Sequence, residues 1–459
     1  MLPVYQAFDR VKFSEVPTDD ARALEDKLER ASRAFTDRDG WLAPHQRIVV
    51  LRELARLVDE QRERFTRLIA REGGKPYTDA AIEVARAIDG VRDAAEELRN
   101  FGGREIPMGL TQASVGRQAF TVREPIGVVA AISAFNHPLN LIVHQVAPAI
   151  AVGCPVIVKP ASTTPLCCLE FVKLVHAAGL PEGFCQSFVP PDNALAEKLA
   201  TDPRVAFLSF IGSGRVGWSL RSKLAPGTRC ALEHGGAAPL IVDRSVELDA
   251  VIPPIVKGGY YHAGQVCVSV QRIFVDAELY DAFVEKFSTR VADLRVGDPL
   301  RPETEVGPLI LPKEVQRVAS WVEEATRGGA RVAVGGQVAS ETTYQPTVLL
   351  EPPPTAKVSC EEVFGPVKCV YRYSELDHAI EAANSLPFSF QSSIFTQRVD
   401  VALRAAERFD AATVLINDHT AFRVDWMPFA GHRQSGYGIG GIPWTMHEMT
   451  KQKMLVWKR

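Results

Sequence analysis

From Val128 onward, short apolar runs alternate with helical stretches, and this alternation limits the fold more than any other feature of the sequence. The first series predicts strands at Val128–Ser133, Val156–Val158, Gln186–Val189, Val205–Phe210 and Cys230–Leu232. Helical periodicity separates the first four, at Leu141–Val152, Pro165–Ala178 and Ala194–Ala200. A second series begins at Pro239, with strands expected at Leu240–Val242, Arg272–Val275, Val332–Val334, Ser392–Phe395 and Thr413–Ile416. Its helices are expected at 279–293, 312–327, 374–385 and 399–408. Strand, helix and short loop in alternation build parallel sheets covered on both faces, so the chain reads as α/β.

Residues 20–100 read as helical. Ile48, Leu51, Leu54, Ala55 and Val58 recur at helical spacing, as do Phe65, Leu68 and Ile69, until Gly73, Gly74 and Pro76 interrupt. Gly102–Glu124 changes character and fits strands outside the main sheets. Lys453–Lys458 reads as a further strand that needs a partner, another subunit being one source.

Composition excludes several classes. Of 459 residues, 46% are hydrophobic and 23% charged, which suits a globular chain. The 52 basic residues do not exceed the 55 acidic ones, so no nucleic-acid-binding surface is expected. No secretory signal is visible, and no apolar run reaches the roughly 20 residues of a bilayer span. A soluble, cytoplasmic protein without membrane contact is expected. The eight cysteines show neither C-x-x-C pairs nor zinc spacing, so no metal is expected and most should be small packed residues.

The predicted strand ending at Phe210 leads into Gly212-Ser213-Gly214-Arg215-Val216-Gly217, a G-x-G-x-x-G run before a helical stretch. Glycines there let the backbone approach a pyrophosphate, and a helix N-terminus offers free N–H groups. Gly212, Ser213 and Gly217 are therefore candidate cofactor contacts. A plain dinucleotide fingerprint would place a ribose-holding acid at Glu233, about 20 residues on. A competing anchor is Lys159, at the C-terminal end of its strand.

Four segments carry the chemistry: Glu124 through Asn136-His137-Pro138, Glu233-His234-Gly235-Gly236, Gly264-Gln265-Val266-Cys267, and Glu361-Glu362-Val363-Phe364-Gly365-Pro366. Their order and spacing resemble the aldehyde dehydrogenase superfamily, over essentially the whole chain from about residue 20. The sub-branch resembles phosphonoacetaldehyde and lactaldehyde-type dehydrogenases. The resemblance implies Cys267 as nucleophile, Asn136 as side-chain donor to the oxyanion, and Glu233 as the base that hydrolyses a thioester. It implies Glu362 at the nicotinamide ribose and Phe364 near the ring. It also implies two doubly wound α/β domains and a small β oligomerisation extension. The expected division is 1–101 with 124–235 for NAD(P), 236–438 for catalysis, and 102–123 with 439–459 bridging subunits of a homodimer or homotetramer.

Several residues depart from the family pattern. Ser162 stands where NAD-preferring members often carry an acid, so NADP should be tolerated beside NAD. Gly214 replaces a usual Thr, Gln145 a lysine and His234 a leucine. Arg423, in the loop expected to form the substrate mouth, joins Arg86 and His137 as candidate contacts for an anionic tail, since a guanidinium forks onto such groups. The competing reading puts Arg86 on a solvated helix and pairs Arg423 with Asp425. Val266, where a phosphonate-type pattern carries Arg, weakens the anionic reading. The expected function is NAD(P)-dependent oxidation of a small polar or anionic aldehyde to its acid. The alternatives are a coenzyme A-acylating dehydrogenase and a cofactor-free cysteine hydrolase.

Overall fold

The structure, a computed structural model, describes residues 1–459. Its two large sheets carry the two strand–helix series. In the first, the strands lie in the order Gly436–Tyr437, Arg229–Glu233, Val205–Ile211, Val128–Ile132, Val156–Lys159, Cys185–Ser187. The five predicted strands run parallel. The buried strand Val128–Ile132 has Val156–Lys159 on one side and Val205–Ile211 on the other, so the strand order reverses there. Ligands of open parallel sheets bind beyond the strand ends at such a reversal. Gln145 ties the two strands together here, its Nε2 donating to Ile132 O (3.2 Å) and Ser209 O (3.0 Å).

The second sheet has the order Arg331–Val334, Thr347–Leu350, Val367–Tyr373, Val270–Asp276, Ala238–Val242, Gln391–Phe395, Thr413–Ile416. All neighbours are parallel except Arg331–Val334, which lies antiparallel at one edge. Two of these strands, Thr347–Leu350 and Val367–Tyr373, are absent from the sequence reading. Each starts directly after a proline, and Lys368 breaks the apolar run of the second. The helix Leu248–Tyr260 is also missing from it, because Pro253-Pro254 inside the helix reads as a break.

The N-terminal helices bury the predicted faces. Leu51, Leu54, Ala55 and Val58 are buried along Pro44–Glu60, and Phe65 and Ile69 along Arg62–Gly73. Gly74 closes the latter with φ of 73°. A hairpin, Leu2–Tyr5 with Lys12–Val16, precedes the helices and was not expected.

The third sheet pairs within the chain. Thr450–Lys458 pairs antiparallel along its whole length with Arg117–Pro125 of its own chain, which also pairs with Glu105–Ile106. The terminal strand thus finds a partner within its own chain, and its outer edge stays open. Residues near the expected boundary at 438 also return to the first sheet. Gly436 lies opposite Glu233, and the helix Ile442–Glu448 packs on Asn140–Val152 and Tyr77–Glu97. No helix is long and apolar enough to cross a membrane.

Only His234–Ala237 separate the strand ending at Glu233 from the strand starting at Ala238. Glu233 therefore leaves the C-terminal edge of the first sheet. Cys267 and Glu362 sit just before the strands Val270–Asp276 and Val367–Tyr373, at the N-terminal edge of the second.

Candidate active site

A cleft of about 1130 Å³ is lined from both sheet edges, and it gathers nearly all the predicted residues. Asn136, His137, Lys159, Ser162, Gly212, Ser213, Glu233, Cys267, Glu362 and Phe364 line it, with Arg86 and Arg423. Gly217 does not. A Cβ there would sit 2.1 Å from His234 Nε2, so this glycine lets the helix close over the histidine ring rather than face a ligand.

The loop before Cys267 is held in an uncommon conformation. His262, Ala263 and Gly264 have successive φ of 48°, 55° and 72°. Left-handed non-glycine residues cost on the order of 1–3 kcal/mol each and persist where surrounding contacts enforce them. Gln265 supplies such contacts: its Nε2 donates to Pro308 O (3.1 Å), and its Oε1 accepts the Ile310 N–H (3.0 Å). Gly264 permits the close approach of Gly365, whose oxygen would lie 2.2 Å from a Cβ. Asn136 Nδ2 donates to Gln265 O (3.0 Å), which joins the two strand-end loops and leaves a second amide hydrogen free.

Cys267 is half-buried at the cleft wall, whereas Cys154, Cys167, Cys168, Cys185, Cys230 and Cys369 are buried. Burial pushes its thiol up to about 12, opposed by Arg423 and reinforced by Glu233 and Glu362. Burial also raises Glu233, against the nearby positive charge of Arg423. The Glu233 carboxylate lies against Gly440, where a Cβ would be 2.1 Å from Oε1. Burial pushes Glu362 up to about 7, opposed by the Gly236 N–H, which donates to Oε1 at 3.2 Å. Gly235 makes room for this carboxylate, since a Cβ there would lie 1.7 Å from Oε1. Phe364, with φ of 45°, meets Phe135 edge-on at 5.8 Å between centroids.

The far end of the cleft fits a dinucleotide. The helix Gly214–Arg221 opens onto it, and Ser213 at the N-cap makes no side-chain cap, so hydroxyl and backbone N–H groups are free for phosphate oxygens. Lys159 Nζ donates only to the neighbouring Pro160 O (2.9 Å), and Ser162 adds no negative charge beside it. Two departures from the family pattern meet here. The His234 ring lies under Gly214 and Gly217, 3.4 Å from the Cβ that residue 214 would carry. No group of three or more His, Cys, Asp or Glu residues is arranged to hold a metal ion.

The candidate anion contacts are arranged differently from either sequence reading. Arg86, not Arg423, pairs with Asp425, through Nε (3.0 Å) and Nη2 (2.7 Å). Arg423 instead donates from Nη2 to His144 Nδ1 (3.1 Å), and its guanidinium lies 3.6 Å from the Phe429 ring centroid. His137 Nε2 shares a hydrogen bond of 2.7 Å with Tyr261 Oη. Burial and the charges of Lys75, Arg86, His262 and Arg423 hold His137 well below the usual histidine range, so it is neutral. Sequence reasoning missed His144 and Tyr261, and it named Asp425 with the wrong arginine. The spacing of Asn140 and His144 on one helix face was a local signal, but Asp425 lies 281 residues beyond His144 and gave none.

The family model described as Aldehyde dehydrogenase family matches residues 1–455. A 3-sulfolactaldehyde dehydrogenase of Priestia megaterium is 36% identical over 435 residues, covering 95% of this chain and 91% of that protein. Aldehyde dehydrogenase 21 of Physcomitrella patens, solved with the reaction product succinate, superposes with a TM-score of 0.96 at 34% identity, over 100% of this chain and 95% of that one. A glyceraldehyde-3-phosphate dehydrogenase of Methanocaldococcus jannaschii, complexed with NADP, gives 0.95 at 32% identity, over 100% and 99%.

Proposed function

The chain belongs to the aldehyde dehydrogenase family, and from that premise we propose that it oxidises a small aldehyde with an anionic tail to the acid, using NAD or NADP. The observation that carries this reading is the convergence of Cys267, Asn136, Glu233 and Arg423 on one cleft whose other end fits a dinucleotide.

Cys267 gives up its thiol proton to water, and the thiolate Sγ attacks the aldehyde carbon to form a tetrahedral thiohemiacetal oxyanion. The free amide hydrogen of Asn136 and the backbone N–H of Cys267 hold the oxyanion. The nicotinamide, when bound, accepts the hydride. Glu362 would grip its ribose, Phe364 would pack by the ring, and Ser213, Gly212 and Lys159 would hold the phosphates and second ribose. Cys267 is then a thioester. Glu233 takes a proton from the water that attacks it, and the acid leaves. Ser162 in place of an acid leaves room for the 2′-phosphate of NADP, as bound by the Methanocaldococcus relative.

Three observations support the anionic tail. The guanidinium of Arg423 faces the cleft with a single side-chain hydrogen bond. Its positive charge acts on both Cys267 and Glu233. The relatives above are named for a sulfonate and a phosphate substrate, and one was solved with a dicarboxylate product. Arg86 keeps its Asp425 pairing, which balances its charge, while neutral His137 offers a polar edge.

In this reading 1–101 with 124–235 hold the cofactor and 236–438 supply the nucleophile. The sheet at 105–125 and 450–458 joins copies of the chain into a dimer or tetramer. An aldehyde panel with neutral, carboxylate, phosphonate and sulfonate tails, run with each cofactor, tests the reading by absorbance of the reduced nicotinamide. Reduced cofactor should form fastest with one anionic tail and without added coenzyme A. An acyl-CoA product would move the assignment to the acylating class. Ester hydrolysis with no reduced cofactor from any aldehyde would move it to the hydrolases.

A further inference from the structure

We infer that His144 and Asp425 are positioning residues that fix the guanidinium of Arg423 for the anionic tail of the aldehyde, an inference that rests on the anionic-tail reading above. Asp425, only 3% exposed, accepts from Arg86 Nε and Nη2, from Asn140 Nδ2 (3.0 Å) and from His144 Nε2 (2.6 Å). A carboxylate can only accept here, so Nε2 of His144 carries the ring proton. Nδ1 is then a lone pair, and Arg423 Nη2 donates to it. Burial and the charge of Arg423 push His144 down to about 4, although Asp425 acts the other way, so the ring is neutral and keeps this tautomer.

The consequence is orientation without neutralisation. A direct Asp425–Arg423 pair would cancel the guanidinium charge and occupy its fork. The interposed imidazole fixes one corner with a neutral acceptor, and the Phe429 face fixes the plane. Asp425 meanwhile balances Arg86. Arg423 is left with its charge uncancelled by a contacting acid and with an Nη1 that has no partner in the chain and is not sealed from the cleft. An unpaired N–H on a cation at the cleft wall calls for an acceptor, and an anionic oxygen of the substrate supplies one.

The test compares a four-carbon aldehyde ending in a carboxylate with the same aldehyde ending in a primary amide. The enzymes are wild type, Arg423→Ala, His144→Leu, the double variant, and Asp425→Asn. The ratio of kcat/KM for the charged over the neutral aldehyde should fall about ten-fold or more in Arg423→Ala and in His144→Leu. The double variant should fall no further than Arg423→Ala, because residues acting through one group are not additive. Asp425→Asn keeps volume but replaces the carboxylate that fixes the His144 tautomer with a weaker, neutral amide, so it should lower the same ratio, and it serves if His144→Leu fails to fold. Equal losses on both aldehydes in His144→Leu and Asp425→Asn, or additive losses in the double variant, would overturn the relay alone. An unchanged ratio in Arg423→Ala would overturn the anionic-tail reading, and the relay with it.

Discussion

Cys267 and Arg423 form the central pair at the scale of single residues. The thiol is pushed up to about 12, so the free enzyme carries it protonated at neutral pH. Reactivity toward a thiolate-selective reagent follows the thiolate fraction, which rises about ten-fold per pH unit well below the pKa. Alkylation of the free enzyme by iodoacetamide, read at Cys267 by mass spectrometry, should therefore climb through pH 7 to 9 without a plateau. Arg423 stabilises the thiolate, so Arg423→Ala should slow alkylation at every pH in that range. A plateau below pH 8, or faster alkylation in the variant, would contradict this electrostatic account. In the sequence, Cys267 was singled out through the family resemblance of Gly264-Gln265-Val266-Cys267 taken with Asn136 and Glu233, and the structure sets all three on one cleft. Its partner was not legible in the sequence. Arg423 reads as a mouth residue in sequence, and only the fold shows that Asp425 is taken by Arg86 and that His144 stands between.

Among elements, the helix Asn140–Val152 organises the site, because it follows Asn136 and His137 directly and is buried along its length. Its N-terminus is held by Glu83 Oε1, which accepts from Leu139 N (2.9 Å) and Asn140 N (3.1 Å). The other Glu83 oxygen pairs with Lys75, and both side chains are fully buried. Removing one partner of a buried pair strands the other charge, at a cost of about 3–5 kcal/mol. Glu83→Ala should lower stability by that amount in urea unfolding and shift Asn136 with the helix; a loss below about 1 kcal/mol would show that the pair does not hold this element. The strand–helix alternation gave most elements to within one or two residues, since period and length are local properties. Elements adjoining prolines escaped it: Thr347–Leu350, Val367–Tyr373 and the helix over Pro253-Pro254 follow tertiary packing against local signals. Pairing partners were equally hidden, as with Thr450–Lys458 and Arg117–Pro125, because register across 333 residues leaves no trace in local pattern.

For the whole molecule, two sheets meet edge to edge so that one cleft collects groups from both, and a third sheet stands apart. That third sheet exposes Phe120, Met454, Leu455, Val456 and Trp457, at 44%, 56%, 41%, 50% and 71%. In the proposed assembly a second copy covers this apolar sheet and its open edge. The double variant Leu455→Glu with Trp457→Glu should shift sedimentation from the oligomer to the monomer; a wild-type chain that sediments as a monomer would remove this expectation. The central claim is that one sulfur carries the acyl group while the cofactor is reduced. The most direct measurement mixes Glu233→Gln with the preferred aldehyde and cofactor and follows reduced nicotinamide and protein mass together. The account predicts one burst of reduced cofactor per active site, then a stall, with an acyl mass on Cys267. Steady turnover at the wild-type rate, or a burst with no adduct on Cys267, would contradict it.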